Sequence, residues 1–248
     1  MCYSFTPVRT PDGILWLPKK VVDQYEKDGW VERADEVFPR GPAEVWRWIK
    51  GGVQSSEMVF DMVPRFYLKA GNPSLDEVLK RKRSKKKGGD GFDSYNARSE
   101  SILEKATFRA PWAEGKRMVV PVSAWRERPN MEEAPPEFKG REFRIHLSDP
   151  KNLAGIWERW ENKQGEILES FAIITVDSLG NDMLRGIWHE RCPLILDHRQ
   201  VEEWLDPKTS PEQAFKMIRP YPSDEMKLEE IIRPRPDDPQ LSLFAPPA

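Results

Sequence analysis

The hydrophobic positions of the chain fall into short apolar runs, separated by turn residues, over the first two thirds of its length. Short runs that are rich in β-branched and aromatic residues predict β-strands. We therefore predict strands at residues 14–18 (ILWLP), 117–125 (RMVVPVSAW), 143–147 (FRIHL), 153–160 (LAGIWERW) and 169–176 (ESFAIITV), and a shorter one at residues 193–196 (PLIL).

Two segments predict helices between and after these strands. Residues 41–50 (GPAEVWRWIK) carry a proline near the expected first turn. Residues 210–219 offer Ser210 as N-cap, Pro211 at the first helical position and Gln213 to complete a capping box. Because strands and helices do not alternate regularly, the pattern predicts an α+β fold with mainly antiparallel strands rather than a doubly wound parallel sheet.

Composition limits the kind of protein that this chain can form. Its 248 residues, 38% of them hydrophobic, can build a sizeable core, and a net charge of −2 does not by itself indicate a nucleic-acid binder. Its two cysteines, Cys2 and Cys192, make neither a disulfide framework nor a zinc site. The sequence has no bilayer-length apolar run and no signal-peptide pattern, so we expect a cytoplasmic protein without membrane segment, metal or cofactor.

Two segments differ from the rest in composition. Seven of the eight residues from 80 to 87 are cationic, within a run at residues 79–91 that is too charged to be buried. This run is either a solvated loop or an arm that follows phosphates. Residues 233–248 carry five prolines, so we expect a disordered tail after a domain that ends at residue 232.

Cys2 stands directly behind Met1 and raises a chemical question. It can be an ordinary small apolar residue. If Met1 is removed, however, the α-amine and the thiol of Cys2 form a 1,2-aminothiol, which condenses with aldehydes to a thiazolidine ring. The two groups titrate near pH ~8 and ~8.5, within reach of neutral pH.

Three polar stretches lie beside apolar runs, at residues 95–100, 123–128 and 187–196. Taken singly, each has an ordinary structural explanation. His189 can be a satisfied structural histidine, Glu127 can pair with neighbouring arginines, and Asn96 can cap a helix that begins near Ser99.

Taken in order, these stretches resemble the SRAP family, the SOS-response-associated peptidase proteins. The resemblance covers roughly residues 1–205 and implies a single domain over residues 1–232, with mainly antiparallel strands that form a barrel-like core flanked by helices. The motifs that carry it are Met1-Cys2, Asn96-Ala97-Arg98-Ser99-Glu100, Trp125-Arg126-Glu127 and His189-Glu190-Arg191-Cys192-Pro193.

The resemblance implies single-stranded DNA as the partner and abasic sites as the target, whose ring-opened sugar carries an aldehyde. Cys2 would form a thiazolidine with that carbon, and peptidase-like self-processing would remove Met1. Glu127 would shuttle protons, His189 would protonate the sugar ring oxygen, and Asn96 would hold the amine or the ring.

The resemblance also implies residues that bind DNA. Arg98 and Arg191 suit the flanking phosphates, and Phe66 and Tyr67 suit stacking on bases, with core packing as the alternative for this pair. The family opening has Gly-Arg after Cys, whereas this chain has Tyr3-Ser4 and so lacks one cation. We hypothesise that the basic run at residues 80–87, which includes Lys85 and Lys86, replaces it.

Two further family stretches differ as well. The Trp-Gly-x-x-Pro segment is FDMVP at residues 60–64, and an Asn-containing stretch is reduced to VFP at residues 37–39.

The tail adds a separate motif, Gln240-Leu241-Ser242-Leu243-Phe244, which looks like a peptide that docks on the bacterial sliding clamp. Gln240, Leu241, Leu243 and Phe244 would make the contacts.

Three functions stay open at this point. The chain can be an abasic-site crosslinker, a thiol peptidase that uses Cys2 with His189 as base, or a noncovalent clamp-associated DNA-binding module. For the first we expect a nucleoid-associated monomer.

Overall fold

The computed structural model describes residues 2–9, 31–32, 36–67, 71–83 and 93–232. Within these residues the strands are Ser4–Arg9 (β1), Val31–Glu32 (β2), Pro42–Ile49 (β3), Gly52–Phe60 (β4), Asn96–Arg98 (β5), Arg117–Glu127 (β6), Phe143–Glu161 (β7), Ile167–Asp177 (β8), Arg191–Pro193 (β9), Ile195–Leu196 (β10) and Met226–Glu230 (β11). The α-helices are Leu75–Arg83 (α1), Ala106–Ala113 (α2), Asp182–Gly186 (α3), His198–Leu205 (α4) and Pro211–Phe215 (α5).

The sheet closes into a ring of five strands, in the order β7, β8, β4, β3, β6 and back to β7. It is not a true barrel, because β4 meets β8 and β3 meets β6 over only two residue pairs each. Among the described strands, only the pairs β4–β8 and β5–β8 are parallel. The predicted α+β class with mainly antiparallel strands is therefore confirmed.

Most of the predicted elements are present, with changed boundaries. The strands predicted at 117–125 and 169–176 are β6 and β8, and helix α5 has the predicted capping box at Ser210 and Gln213. The strands predicted at 143–147 and 153–160 are one strand, β7, because the hydrophobic pattern breaks where β7 crosses a register shift against β6. The run at 193–196 is divided between β9 and β10, and the strand predicted at 14–18 lies outside the described residues.

The helix predicted at residues 41–50 is wrong. This segment is strand β3, and Lys50 and Gly51 form a two-residue turn into β4. Both turn residues have positive φ, at 44° and 89°, which is the backbone that a tight hairpin requires and that glycine adopts easily. The turn chemistry and the Val-Trp-x-Trp-Ile composition outweigh the helical signal of the proline.

The core contains the start of the chain. Phe5 on β1 packs against Phe60 on β4 with ring centroids 5.1 Å apart, and Phe60 stacks on Phe171 of β8 at 5.2 Å. Cys2 belongs to the same buried cluster. Packing of β1 therefore fixes where residue 2 lies. None of the helices described here is long and apolar enough to cross a bilayer.

Candidate functional site

Strand β8 organises the candidate site. Along one edge it pairs with β4 and then β5, and along the other with β7 and then β9. Asn96 is the first residue of β5, and His189 lies two residues before β9. Motifs that are about ninety residues apart in sequence are thus placed on opposite edges of one strand.

Two further strands supply the other members of the site. Glu127 is the last residue of β6, and the first pair of the β1–β6 ladder joins Ser4 to Arg126. Cys2 immediately precedes β1 and is fully buried. The end of β6 therefore places Glu127 close to Cys2.

Asn96 holds Cys2 directly. Its Nδ2 donates a hydrogen bond of 2.9 Å to the carbonyl oxygen of Cys2. Its Oδ1 is buried and receives no hydrogen bond from the described part of the chain. The helix-capping alternative for Asn96 is not what is found, because the side chain binds residue 2 and the 3₁₀ helix at Ser99–Ser101 has no side-chain cap.

Glu127 and His189 form a buried pair. The Nε2 atom of His189 lies 3.1 Å from Oε2 of Glu127, and its Nδ1 atom lies 2.6 Å from the carbonyl oxygen of Arg128. Because a carbonyl can only accept, Nδ1 carries a hydrogen and donates it. Nε2 and Oε2 would then repel each other unless a proton lies between them. The two side chains are therefore close enough to exchange a proton.

Burial sets the protonation of the other groups. Burial raises the pKa of the Cys2 thiol well above its usual value, and the nearby carboxylate of Glu127 raises it further. Burial also lowers the pKa of His189, although Glu127 opposes this shift. At neutral pH the thiol is therefore protonated rather than a free thiolate.

The two arginines of the motifs are placed differently. Arg98 has a half-exposed side chain and lies 3.5 Å from Glu190. Arg191 is buried and makes two hydrogen bonds of 2.8 Å to Glu100, and it also donates to the carbonyl oxygen of Thr175. Glu100 of the second motif thus anchors Arg191 of the fourth. A phosphate role for either arginine stays a prediction, and for Arg191 it would compete with Glu100.

The aromatic pair is divided between surface and core. Phe66 is 46% exposed, whereas Tyr67 is buried in a cluster with Val63 and Trp160. Core packing, the alternative interpretation of the pair, describes Tyr67. Only Phe66 presents a ring that a base could reach.

The basic run is partly helical and partly buried. Residues 79–83 belong to α1, and Lys82 lies in the core 2.8 Å from Asp61, so the expectation that the whole run is too charged to be buried is wrong. Asp61 occupies the glycine position of the family pattern with φ of 128°, and it also accepts from the backbone of Ser94 at 2.8 Å. A buried ion pair therefore compensates for a backbone that favours glycine.

Lys85, Lys86 and the tail residues Gln240, Leu241, Leu243 and Phe244 lie outside the described residues.

Sequence reasoning missed a cluster beside Cys2. The hydroxyl of Tyr3 donates to Glu142, which also accepts from Arg126 at 3.0 Å and from Arg128 at 3.1 Å. Burial alone would raise the pKa of Glu142, but its three donors lower it to about 2. The sequence does show arginines on both sides of Glu127, but it does not show that their partner is Glu142 on the neighbouring part of the sheet.

Cys192 is a second residue that the motifs did not assign. It is fully buried, and burial raises its pKa to about 12. It is therefore an inert thiol that packs behind the site.

Within the described ranges, no group of three or more His, Cys, Asp or Glu side chains is arranged to hold a metal ion.

The fold and the site define a class of α+β protein that buries a thiol before its first strand, against an amide and a carboxylate–imidazole pair. The model of the family described as SOS response associated peptidase (SRAP) matches residues 29–233, and the chain belongs to this family. Cys2 lies before the matched range, so its position in the site comes from the structure.

Relatives of known name match about half of the chain. The abasic site processing protein YoaM of Bacillus subtilis is 32% identical over 145 residues, which cover 57% of this chain and 60% of YoaM. The abasic site processing protein HMCES of Rattus norvegicus is 33% identical over 156 residues, which cover 52% of this chain and 43% of HMCES. The chain thus spans only part of the length of these relatives.

Solved structures share the fold. A protein from Bordetella bronchiseptica superposes with a TM-score of 0.66 at 19% identity, over 94% of this chain and 100% of that one. A protein from Bacteroides thetaiotaomicron gives a TM-score of 0.65 at 22% identity, over 98% and 100%.

Proposed function

We propose that this protein binds single-stranded DNA and crosslinks itself to abasic sites through Cys2, as part of a response to DNA damage. The observation that carries the proposal is the placement of Cys2, which is buried with its carbonyl held by Asn96 and lies near the Glu127–His189 pair. The names of the relatives, abasic site processing proteins, point to the same substrate.

The reaction joins one aldehyde to one aminothiol and releases one water. After removal of Met1, the neutral α-amine of Cys2 attacks the sugar C1 carbon and forms a carbinolamine. Loss of hydroxide, which takes up a proton and leaves as water, gives a Schiff base that is protonated at nitrogen. The sulfur then adds to the same carbon as the thiol gives up its proton to a base, and the ring nitrogen keeps its hydrogen in the thiazolidine.

The side chains suit the proton transfers of this sequence. The Glu127–His189 pair would give a proton to the departing hydroxide and would later take up the thiol proton, so that its proton count is restored. His189 can also protonate the sugar ring oxygen, which favours the open aldehyde. Because burial keeps the thiol protonated, sulfur reacts only after the Schiff base has formed and a base is at hand.

Asn96 suits the positioning of the amine. Its Nδ2 fixes the Cys2 carbonyl, and its buried Oδ1 can accept a hydrogen bond from the α-amine of the same residue. Such a hydrogen bond would use an N–H of the Cys2 α-amine and leave the lone pair of its nitrogen free to attack.

The thiol peptidase is the weaker alternative. A thiol peptidase needs a thiolate that a histidine activates. Here burial raises the pKa of the Cys2 thiol, and the thiol donates to the carbonyl oxygen of Ser4 at 3.6 Å rather than to His189. The geometry therefore favours aldehyde capture over peptide cleavage. Removal of Met1 by the protein itself or by an aminopeptidase is compatible with it.

The deciding experiment incubates Met-processed protein with a single-stranded oligonucleotide that holds one abasic site. We expect a product that survives heat and SDS, and we expect no product from Cys2→Ala. Cys192→Ala is the matched control, because it removes the other buried thiol and should still crosslink. Acetylation of the α-amine should block the crosslink, whereas a thiol peptidase would stay active. No stable product from the intact protein refutes the proposal.

We also propose that the tail delivers the protein to the sliding clamp, where polymerases stall at lesions. A tethered peptide with Leu243 and Phe244 suits an apolar pocket, and Gln240 suits its rim. Clamp retention should be lost when residues 240–244 are deleted. Retention by the deleted form would contradict this role.

A further inference from the structure

The rim of the site carries two half-exposed arginines. The Arg98 side chain is 48% exposed and that of Arg128 is 53% exposed. Arg98 reaches the site through Glu190, the residue after His189. Arg128 follows Glu127 in sequence and binds His189 through its own carbonyl oxygen. Arg98 is thus linked to the residue that follows His189, and Arg128 is the residue that follows Glu127.

Arg128 is held in place by an aromatic ring and a carboxylate. Its guanidinium carbon lies 4.8 Å from the ring centroid of Tyr3, the residue after Cys2. It also donates to Oε2 of Glu142 at 3.1 Å. A stacked arginine loses less freedom when it binds an anion, because its side chain is already ordered.

The carboxylate of Glu142 does not depend on Arg128 alone. Its other oxygen accepts from Arg126 and from the Tyr3 hydroxyl. Arg126 is itself partly buried and bound to Glu36 at 2.6 Å. If Arg128 turned toward a second anion, Glu142 would keep two donors. Arg126 could not make the same turn without breaking two ion pairs.

We propose that Arg128, stacked on Tyr3, is a phosphate-binding subsite for the DNA strand at the entrance to Cys2. The inference rests on the proposed function, because a sugar that reaches Cys2 brings its own flanking phosphates to the groups nearest that residue. Arg128 presents a planar fork of donors that suits a phosphate. In this proposal Arg128, stacked on Tyr3, replaces the phosphate-binding cation that the family opening has and this chain lacks. The sequence analysis gave that role to the basic run at residues 80–87.

The test measures noncovalent binding of the full chain to an intact single-stranded oligonucleotide over a range of salt concentrations. One lost phosphate contact reduces the slope of log affinity against log salt by about 0.7, which corresponds to about fivefold weaker binding at 0.1 M salt. We expect this change for Arg128→Gln. Arg128→Lys should restore the slope but not the full affinity, since lysine keeps the charge and loses the fork.

Arg141→Gln is the matched control. Arg141 also lies over an aromatic ring, Phe138, at 4.8 Å and also pairs with a glutamate, but its partner is Glu230 rather than Glu142. Its slope should equal that of the wild type. Thermal melts of each variant show that the fold is kept.

The outcomes separate this inference from the proposed function. An unchanged slope for Arg128→Gln, or a loss of slope that arises only when Lys85 and Lys86 are neutralised, overturns the subsite. A wild type that binds with an Arg128-dependent slope but never crosslinks to an abasic strand refutes the proposed function and leaves the subsite standing.

Discussion

At the scale of the residue, the site depends on burial. The fully buried Glu127 would be costly as an isolated charge, and His189 lies 3.1 Å from it as a partner. The same burial keeps the thiol of Cys2 protonated. A proton carrier next to a protonated thiol is what ring closure on a Schiff base needs.

Glu127→Gln tests this role. The amide keeps the shape of the side chain but cannot take up a proton, so the crosslinking rate should fall by about 10²–10⁴-fold. Binding to an intact strand should not change. Single-turnover crosslinking on an abasic oligonucleotide measures the rate.

The control for this variant is Glu137→Gln, which changes an exposed carboxylate away from the site. It should crosslink at the wild-type rate. A Glu127→Gln protein that crosslinks as fast as the wild type would show that another group carries the proton.

At the scale of the element, turn residues decide where the chain is strand. The Lys50-Gly51 turn has two positive φ angles, and it lets β3 and β4 pair from Pro42 to Ile49 without a break. This hairpin contributes two of the five strands of the ring. A helix at the same residues would remove β3 and so leave β4 and β6 each without one neighbour.

Gly51→Ala tests the turn. An L-residue with a side chain at φ of 89° costs about 1–2 kcal/mol, although a Cβ would meet no atom within 4 Å. We expect the free energy of unfolding to fall by that amount in urea denaturation.

The neighbouring glycine is the matched control. Gly52 also has open space around it, but its φ is not positive. Gly52→Ala should therefore be neutral or slightly stabilising. Equal losses from the two substitutions would mean that the backbone conformation is not the cause.

At the scale of the whole molecule, the charged cluster around Glu142 joins β1, β6 and β7. Tyr3, Arg126 and Arg128 all donate to this one carboxylate. The pKa of Glu142 is lowered to about 2, below its value in an unfolded chain. The native state therefore favours the ionised form of Glu142.

The free energy of unfolding should consequently decrease at acidic pH. The contribution of Glu142 is complete above its unfolded pKa, near pH ~4.3, and is lost as pH falls toward about 2. Glu142→Gln should cost about 1.5–3 kcal/mol at pH 7, and the difference from wild type should shrink through this window. Urea denaturation at several pH values measures it.

Glu230→Gln provides the comparison for acid stability. Glu230 pairs with Arg141 on the surface, where an ion pair contributes less. Its effect should be smaller at every pH. A Glu142→Gln deficit that stays constant from pH 7 to pH 2.5 would contradict the linkage.

Local sequence patterns predicted several of the strands and helices correctly. The β-branched composition of β6 and β8 and the capping box at Ser210 predicted those elements, because propensity and cap chemistry act within a few residues. The motif residues Asn96, Glu127 and His189 were selected through the resemblance to the SRAP family, because each of them taken singly also had an ordinary structural explanation.

Sequence alone determined the α+β class, since it depends on local patterns, and the order of four motifs that resemble the SRAP family supplied the candidates Cys2, Asn96, Glu127 and His189. Only the tertiary structure decided that Asn96 binds the Cys2 carbonyl, that Tyr67 is core, and that Arg128 lies over the ring of Tyr3. Contacts between residues about a hundred positions apart are fixed by strand pairing across the sheet. No local pattern in a chain encodes which distant strand will be its neighbour.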